Sequence, residues 1–149
     1  MTTIEKKVIV WDSLIILILI FFDLITKYLF FNHGIGSSLS LIEPAMNNGI
    51  SFSLAVSSSI VFPITMISLL FFSYMYSKKM FPRWSLIFLF AGTIGNFYDR
   101  IIYDGVRDFL VFPHWFIFNL ADIFLFIGIV WACLYMLWED SQKHKKVQV

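Results

Sequence analysis

The sequence predicts an all-α membrane protein of four transmembrane helices, and three observations predict it. Hydrophobic residues make up 59% of the 149 and charged residues only 14%, whereas a soluble domain carries about a quarter charged. Four apolar runs divide the chain, each near the roughly 20 residues that a bilayer crossing needs. The basic residues gather between and beyond alternate runs: Lys6, Lys7, Lys78, Lys79, Arg83, Lys143, Lys145 and Lys146 are eight of the eleven. With a mean hydropathy of +0.81, a soluble core is excluded. Nucleic-acid binding is excluded too, because the basic residues are few and dispersed along one face.

The first helix is expected over 8–31. It is too long for the apolar part of a secretory signal, no small-residue cleavage pattern follows it, and it carries Asp23 and Lys27. These stand four residues apart, so they pair on one face and reduce the cost of burying either. The second helix is expected over 59–76, with Ser58 or Ser59 as its cap and Pro63 in its early turns. The third, over 84–102, follows Phe81-Pro82-Arg83, and the fourth covers 116–138. Cys133 reads as a small buried apolar side chain of the fourth helix. By the positive-inside rule both termini are cytoplasmic, and the segments 32–57 and 103–115 lie outside. The whole chain is one integral membrane domain, ending in a solvated tail after Ser141.

The first outer segment is rich in Gly, Ser and Asn. Asn48-Gly49 marks a tight turn, and Ile50, Phe52 and Leu54 alternate with Ser51 and Ser53 at the period of a half-buried strand. The second, with Val106-Arg107-Asp108-Phe109-Leu110 at its centre, suits a segment lying on the membrane surface.

Asp122 stands near the mouth of the fourth apolar run, with Asn119 three residues before it. An acid there is costly unless paired, hydrated or used. Asp108, fourteen positions earlier, lies in the outer loop at the same membrane face, and the chain between is short enough for the carboxyls to meet. Two carboxyls in contact share a proton, hold a water and perform general acid–base hydrolysis. The alternative is structural: Asp108 paired with Arg107 or Arg100 as a loop anchor, and Asp122 as a helix cap. Asn96, Asp99 and Arg100 project from one face at the outer end of the third helix, below the small residues Gly92 and Gly95. Asp99 with Arg100 reads as an ion-pair node, and Arg100 or Arg107 also suits a headgroup contact. His33 and His114 lack metal-ligand spacing and read as interfacial.

Five blocks stand in fixed order: Asp23-Leu24-Ile25-Thr26-Lys27, Asn47-Asn48-Gly49-Ile50-Ser51-Phe52, Gly95-Asn96-Phe97-Tyr98-Asp99-Arg100, Val106-Arg107-Asp108-Phe109-Leu110 and Phe118-Asn119-Leu120-Ala121-Asp122. On these the sequence resembles the lipoprotein signal peptidase (signal peptidase II) family over nearly its full length. The resemblance implies a bacterial inner-membrane aspartic endopeptidase that needs no metal or cofactor. It implies cleavage of prolipoproteins just before a cysteine that carries diacylglycerol, with catalytic residues Asp108 and Asp122. It further implies supporting roles for Asp23, Lys27, Asn47, Gly49, Asn96, Asp99, Arg100, Asn119 and Ala121. A small extracytoplasmic β cradle and a short surface helix are expected from 32–57 and 103–115. Membrane phospholipids and the cyclic peptide antibiotic globomycin are implied as partners. The sequence departs from the family's pattern at Ile50-Ser51, at Arg107, where an apolar residue is common, and at Ala91. Two other readings of the acids are a proton-coupled transporter, for which no repeat or broken-helix pair is seen, and a non-enzymatic scaffold.

Overall fold

The computed structural model describes residues 2–48, 58–113 and 115–147. Four α-helices, α1 (Thr3–Thr26), α2 (Ser58–Ser77), α3 (Arg83–Tyr103) and α4 (Leu120–Val147), carry a three-stranded antiparallel sheet at one end. Its strands are β1 (Ile42–Asn47), β2 (Val106–Phe112) and β3 (Phe116–Phe118), in the order β1-β2-β3. The expected strand over Ile50–Leu54, Gly49 and His114 lie outside the described residues.

α1 starts earlier than expected. Thr2 and Glu5 form a capping box, the Glu5 amide donating to Thr2 Oγ1 and the Thr2 amide to Glu5 Oε2. It also ends earlier, passing into a π-helical turn over Lys27–Asn32. Thr26 Oγ1 donates to the carbonyls of Phe22 and Asp23, competing with the amides that would continue the α-helical ladder. Such turns widen a helix locally and recur at functional sites.

Among the described residues three stretches are long and apolar enough to cross a bilayer: Thr3–Asn32, Ile60–Ser77 and Leu120–Lys143. α3 is not among them, because polar groups interrupt it. It is instead the helix the others pack around, in contact with α1, α2 and α4. Its small residues permit this. A Cβ on Gly92 would stand 2.5 Å from the Ala121 carbonyl, and one on Gly95 would stand 2.6 Å from Asp23 Oδ2. Gly128 of α4 answers from the other side, its carbonyl accepting from Ser85 Oγ at 2.7 Å. The burial pattern is inverted relative to a soluble protein. Leu17, Phe21, Leu70, Phe126 and Leu137 are exposed, while Asp23, Lys27, Asp99 and Asn119 are fully buried. Cys133 belongs to the exposed set rather than the buried one.

The segment 103–115 is not a surface helix, and none is present among the described residues outside α1–α4. Val106–Phe109 are all buried, in the central strand. Residues covered on both faces lose the period-2 signal, so the strand left no alternation to read. Asp104, in the left-handed region at φ 55°, and Gly105 turn the chain sharply from α3 into β2. β2 pairs with β1 through Ala45↔Asp108, Met46↔Arg107 and Asn47↔Val106, and the register slips between Ile42 and Ala45, where Pro44 has no amide to donate. β2 and β3 form a hairpin with Leu110↔Phe118 and Phe112↔Phe116. Residues 116–118 are therefore strand rather than the start of the fourth helix. They form an apolar run that Asn119 closes.

Candidate active site

Asp108 reaches the site from β2 and Asp122 from the first turn of α4. The hairpin explains how residues fourteen apart come to share one neighbour: a register that sets Leu110 opposite Phe118 brings Asn119 back beside Asp108. Asn119 then starts α4. Its Oδ1 accepts from the Asp122 amide at 3.0 Å, while its own amide donates to Asp122 Oδ2 at 3.1 Å. Each residue thus satisfies a backbone donor of the other, a reciprocal N-cap. The same Asn119 donates from Nδ2 to Asp108 Oδ1 at 2.6 Å. One asparagine therefore holds both acidic residues.

The remaining oxygens are also held. Asn47 Nδ2 donates to Asp108 Oδ2 at 3.0 Å, and Asn96 Nδ2 to Asp122 Oδ1 at 2.7 Å. Asn119 Nδ2 lies a further 3.1 Å from Asn96 Oδ1. Asp108 is 2% exposed and Asp122 less buried. The Asp108 carboxyl is pushed up to about 6, first by burial and then by the negative charge of Asp122, against the Asn119 and Asn47 hydrogen bonds and Lys27.

Behind the two acids lies a buried ion cluster. Lys27 Nζ contacts Asp23 Oδ2 at 2.7 Å, Asn96 Oδ1 at 3.1 Å and Asp99 Oδ2 at 3.4 Å. Asp23 Oδ1 accepts the Ala121 amide at 2.8 Å, tying α1 to the first turn of α4. Arg107 Nη2 meets Asp99 Oδ1 at 2.7 Å, and the Arg107 amide reaches Asp99 Oδ2 at 3.0 Å. Two acids and two bases make the cluster neutral, the condition under which buried charge is tolerated.

The expected residues divide accordingly. Asn47, Asn96 and Asn119 touch Asp108 or Asp122, and Ala121 contributes its amide. Asp23, Lys27 and Asp99 form the ion cluster. Arg100 Nη1 donates to the Asn96 carbonyl at 3.4 Å and interacts electrostatically with Asp122, Asp108 and Asp99. His33 packs against Tyr28, with ring centroids 4.5 Å apart. Among the described residues no three His, Cys, Asp or Glu side chains are grouped as metal ligands.

Two expectations are corrected. The direct partner of Asp99 in the cluster is Arg107 together with Lys27, although Arg100 is its neighbour in sequence. Arg107 is buried inside the protein, with Asp99 and Asn32 rather than Asp108 as its hydrogen-bond partners. It is 3% exposed, donates from Nη1 to Asn32 Oδ1 at 2.7 Å and stacks over Tyr103 at 4.2 Å. No spacing rule links residues 99 and 107 across a helix end. A second cluster had no forecast: Asp12 of α1, buried, is bonded by Tyr76 and Arg83 at the opposite end of the molecule. An acid inside an apolar run was its available signal.

Comparison with known proteins gives one consistent answer. The family model described as signal peptidase (SPase) II matches residues 15–138. A lipoprotein signal peptidase of Pelagibacter ubique (strain HTCC1062) is 32% identical over 161 residues, covering 96% of this chain and 97% of its own. One of Staphylococcus aureus (strain JH9) is 33% identical over 159 residues, covering 95% and 98%. A bacterial membrane enzyme solved at 2.3 Å superposes with a TM-score of 0.76 at 27% identity, over 89% of this chain and 90% of that one. Another, solved at 1.9 Å, gives 0.70 at 28% identity, over 85% and 92%.

Proposed function

The chain belongs to the signal peptidase II family, and from that premise we propose that Asp108 and Asp122 carry its chemistry. The protein is a bacterial membrane aspartic endopeptidase that removes the signal peptide from diacylglyceryl-modified prolipoproteins, cleaving before the lipidated cysteine. The observation that supports the two aspartates is Asn119, whose single side chain is bonded at once to Asp108 and to the Asp122 amide.

In this reading Asp108 enters the reaction protonated, the form its burial favours, and Asp122 is the proton acceptor. A water between them attacks the scissile carbonyl carbon. Asp122 takes the water's proton while Asp108 gives its own to the carbonyl oxygen. The gem-diol then collapses: Asp122 passes its proton to the leaving nitrogen, and Asp108 recovers one from a hydroxyl. The resting protonation returns and one water is consumed. Asn47 and Asn96 hold the outer carboxyl oxygens, and Gly49 follows Asn47 in the same family block. Arg100 sets a positive charge beside the pair.

α3 is the fourth crossing. Its 21 residues span about 31 Å at 1.5 Å per residue, and its polar face is covered by its neighbours. Both termini are then cytoplasmic and the site lies at the outer face of the inner membrane, where water and the substrate's acyl chains meet. The hairpin tip, with Phe112, Trp115 and Phe116 exposed, suits the headgroup level and contact with phospholipids. Globomycin would occupy the space between the two carboxyls. No comparison favours a transporter. The test is cleavage of a lipidated prolipoprotein by purified protein, with and without globomycin. Complete, globomycin-sensitive cleavage supports the reading, and an Asp108→Asn or Asp122→Asn variant of full activity overturns the assignment.

A further inference from the structure

The orientation of a side-chain amide follows from donors that cannot accept. An ammonium has only N–H to offer, so the Asn96 atom 3.1 Å from Lys27 Nζ is its oxygen. The Asn96 NH2 is then the group 2.7 Å from Asp122 Oδ1. A flipped amide would face its NH2 to Lys27 and its oxygen to a carboxylate, two repulsions in a buried place. Asn119 Nδ2 supports the same orientation with one neutral donor, itself oriented by the Asp122 amide. Lys27 is fully buried and held by Asp23 and Asp99, so its ammonium cannot swing away from this contact.

We propose that Lys27 is a positioning residue for hydrolysis, acting through Asn96: its ammonium locks the Asn96 amide so that Asp122 always meets a donor and is held in place as the proton acceptor of the pair. The proposal rests on the assignment of Asp108 and Asp122 as the reacting carboxyls. It gives the ion cluster a task beyond cohesion. The charge pair of the first helix is read by the site as the direction of one amide.

A double-mutant cycle separates this from a structural role. Wild type, Asp23→Asn/Lys27→Met, Asn96→Ala and the three changes together are assayed on a lipidated prolipoprotein. The Asp23→Asn change keeps an oxygen for the Ala121 amide, and removing acid and base together leaves the buried charge balanced. The expected kcat is lower by about tenfold to hundredfold in the Asp23→Asn/Lys27→Met and Asn96→Ala forms, the size of one lost hydrogen bond to a charged group, with KM within about twofold. The triple form should fall no more than about threefold below Asn96→Ala, because Lys27 has nothing left to act through. Losses that multiply in the triple form, or wild-type kcat in Asp23→Asn/Lys27→Met, overturn the proposal.

Should that pair of changes abolish cooperative melting in detergent, Asn96→Asp decides. It keeps the size and gives Lys27 a partner, but turns an oxygen toward Asp122. A fall in kcat of about hundredfold at unchanged Tm supports the lock, and wild-type kcat overturns it. Asp122→Asn in the same assay tests the underlying assignment independently, since its full activity would remove the reacting pair whatever Lys27 does.

Discussion

Asn119 and Asp122 bond each other twice, amide to side chain in both directions, at 3.0 and 3.1 Å. The carboxylate in the first turn of α4 is therefore held by the same residue that bonds Asp108. A helix start is a place where backbone donors are unpaired and where the helix dipole favours negative charge. The fold thus fixes the Asp122 side chain at a helix start before any substrate arrives.

Replacing either acid by its amide isostere should leave the fold intact and remove the reaction. Asp108→Asn and Asp122→Asn are each expected to lower kcat by more than about a thousandfold, the scale of general acid–base catalysis. Cleavage of lipidated prolipoprotein, followed by mass, measures it alongside a melting curve in detergent.

Asp108 also makes stability depend on pH. Its pKa is raised from 3.8 to about 6, so between those values the native state keeps a proton that the unfolded chain has lost. Stability then falls as pH rises through that window, by up to about 3 kcal/mol, fully favourable below the unfolded value and gone above the folded one. Melting curves of wild type and Asp108→Asn from pH 4 to 8 should diverge, with the variant gaining on the wild type as pH rises. Cleavage by the free enzyme should decline on the alkaline side from about pH 6, as the proton that Asp108 donates is lost.

Arg107 closes the ion cluster over Asp99. Arg107→Met takes the guanidinium from Asp99, leaving Lys27 in contact with it at 3.4 Å, and should cost about 3–5 kcal/mol, the usual penalty for breaking a buried pair. Arg107→Lys retains the charge but loses the fork that reaches Asp99 and Asn32 together, and should fall between. Thermal unfolding of the purified variants checks the order.

Gly92→Ala drives a methyl against the Ala121 carbonyl and Leu125 Cγ, at 2.5 and 2.7 Å. Both belong to α4, so the helix that carries Asp122 must move away. The expected result is a loss of about 1–3 kcal/mol of stability with a larger fractional loss of kcat than of binding, measured by melting and by steady-state cleavage.

The proposed four-crossing topology predicts which segments are reachable. In a Cys133→Ser background, Trp115→Cys, beyond α3, should react with a membrane-impermeant maleimide from outside intact spheroplasts, and Lys79→Cys, before α3, only after lysis. Labelling of both from one side would remove α3 as a crossing.

How much of this was legible in the sequence depends on the length scale of each contact. Asp23 and Lys27 face each other because they are one helical turn apart, and spacing alone revealed it. The four apolar runs were equally plain, since the exposed apolar residues of α1, α2 and α4 recur along continuous stretches of sequence. Asp108 and Asp122 could be brought together through the five ordered blocks, but the reason they meet, the hairpin β2–β3, was hidden. Buried on both faces, Val106–Phe109 show no alternation, and Phe116–Phe118 are as apolar as the helix that follows. Asn119, three residues before an acid, was the cap signal that marks the true start of α4. Asp99 and Arg107 meet across a turn through a left-handed Asp104, and the adjacent Arg100 was the more obvious partner.

The buried charges also bear on how the chain enters its membrane. Asp23 is followed by Lys27 after four residues, and Asp99 by Arg107 after eight. Each acid is synthesised within a turn or two of the base that neutralises it. At this end of the bundle the first helix leaves the ribosome already self-compensated, and the third needs only the start of the next strand. Asp12, at the other end of α1, is the exception, since its partner Arg83 comes 71 residues later. The long-range contacts, Lys27 to Asn96 and Asp23 to the Ala121 amide, then form last, between segments that are already electrically quiet.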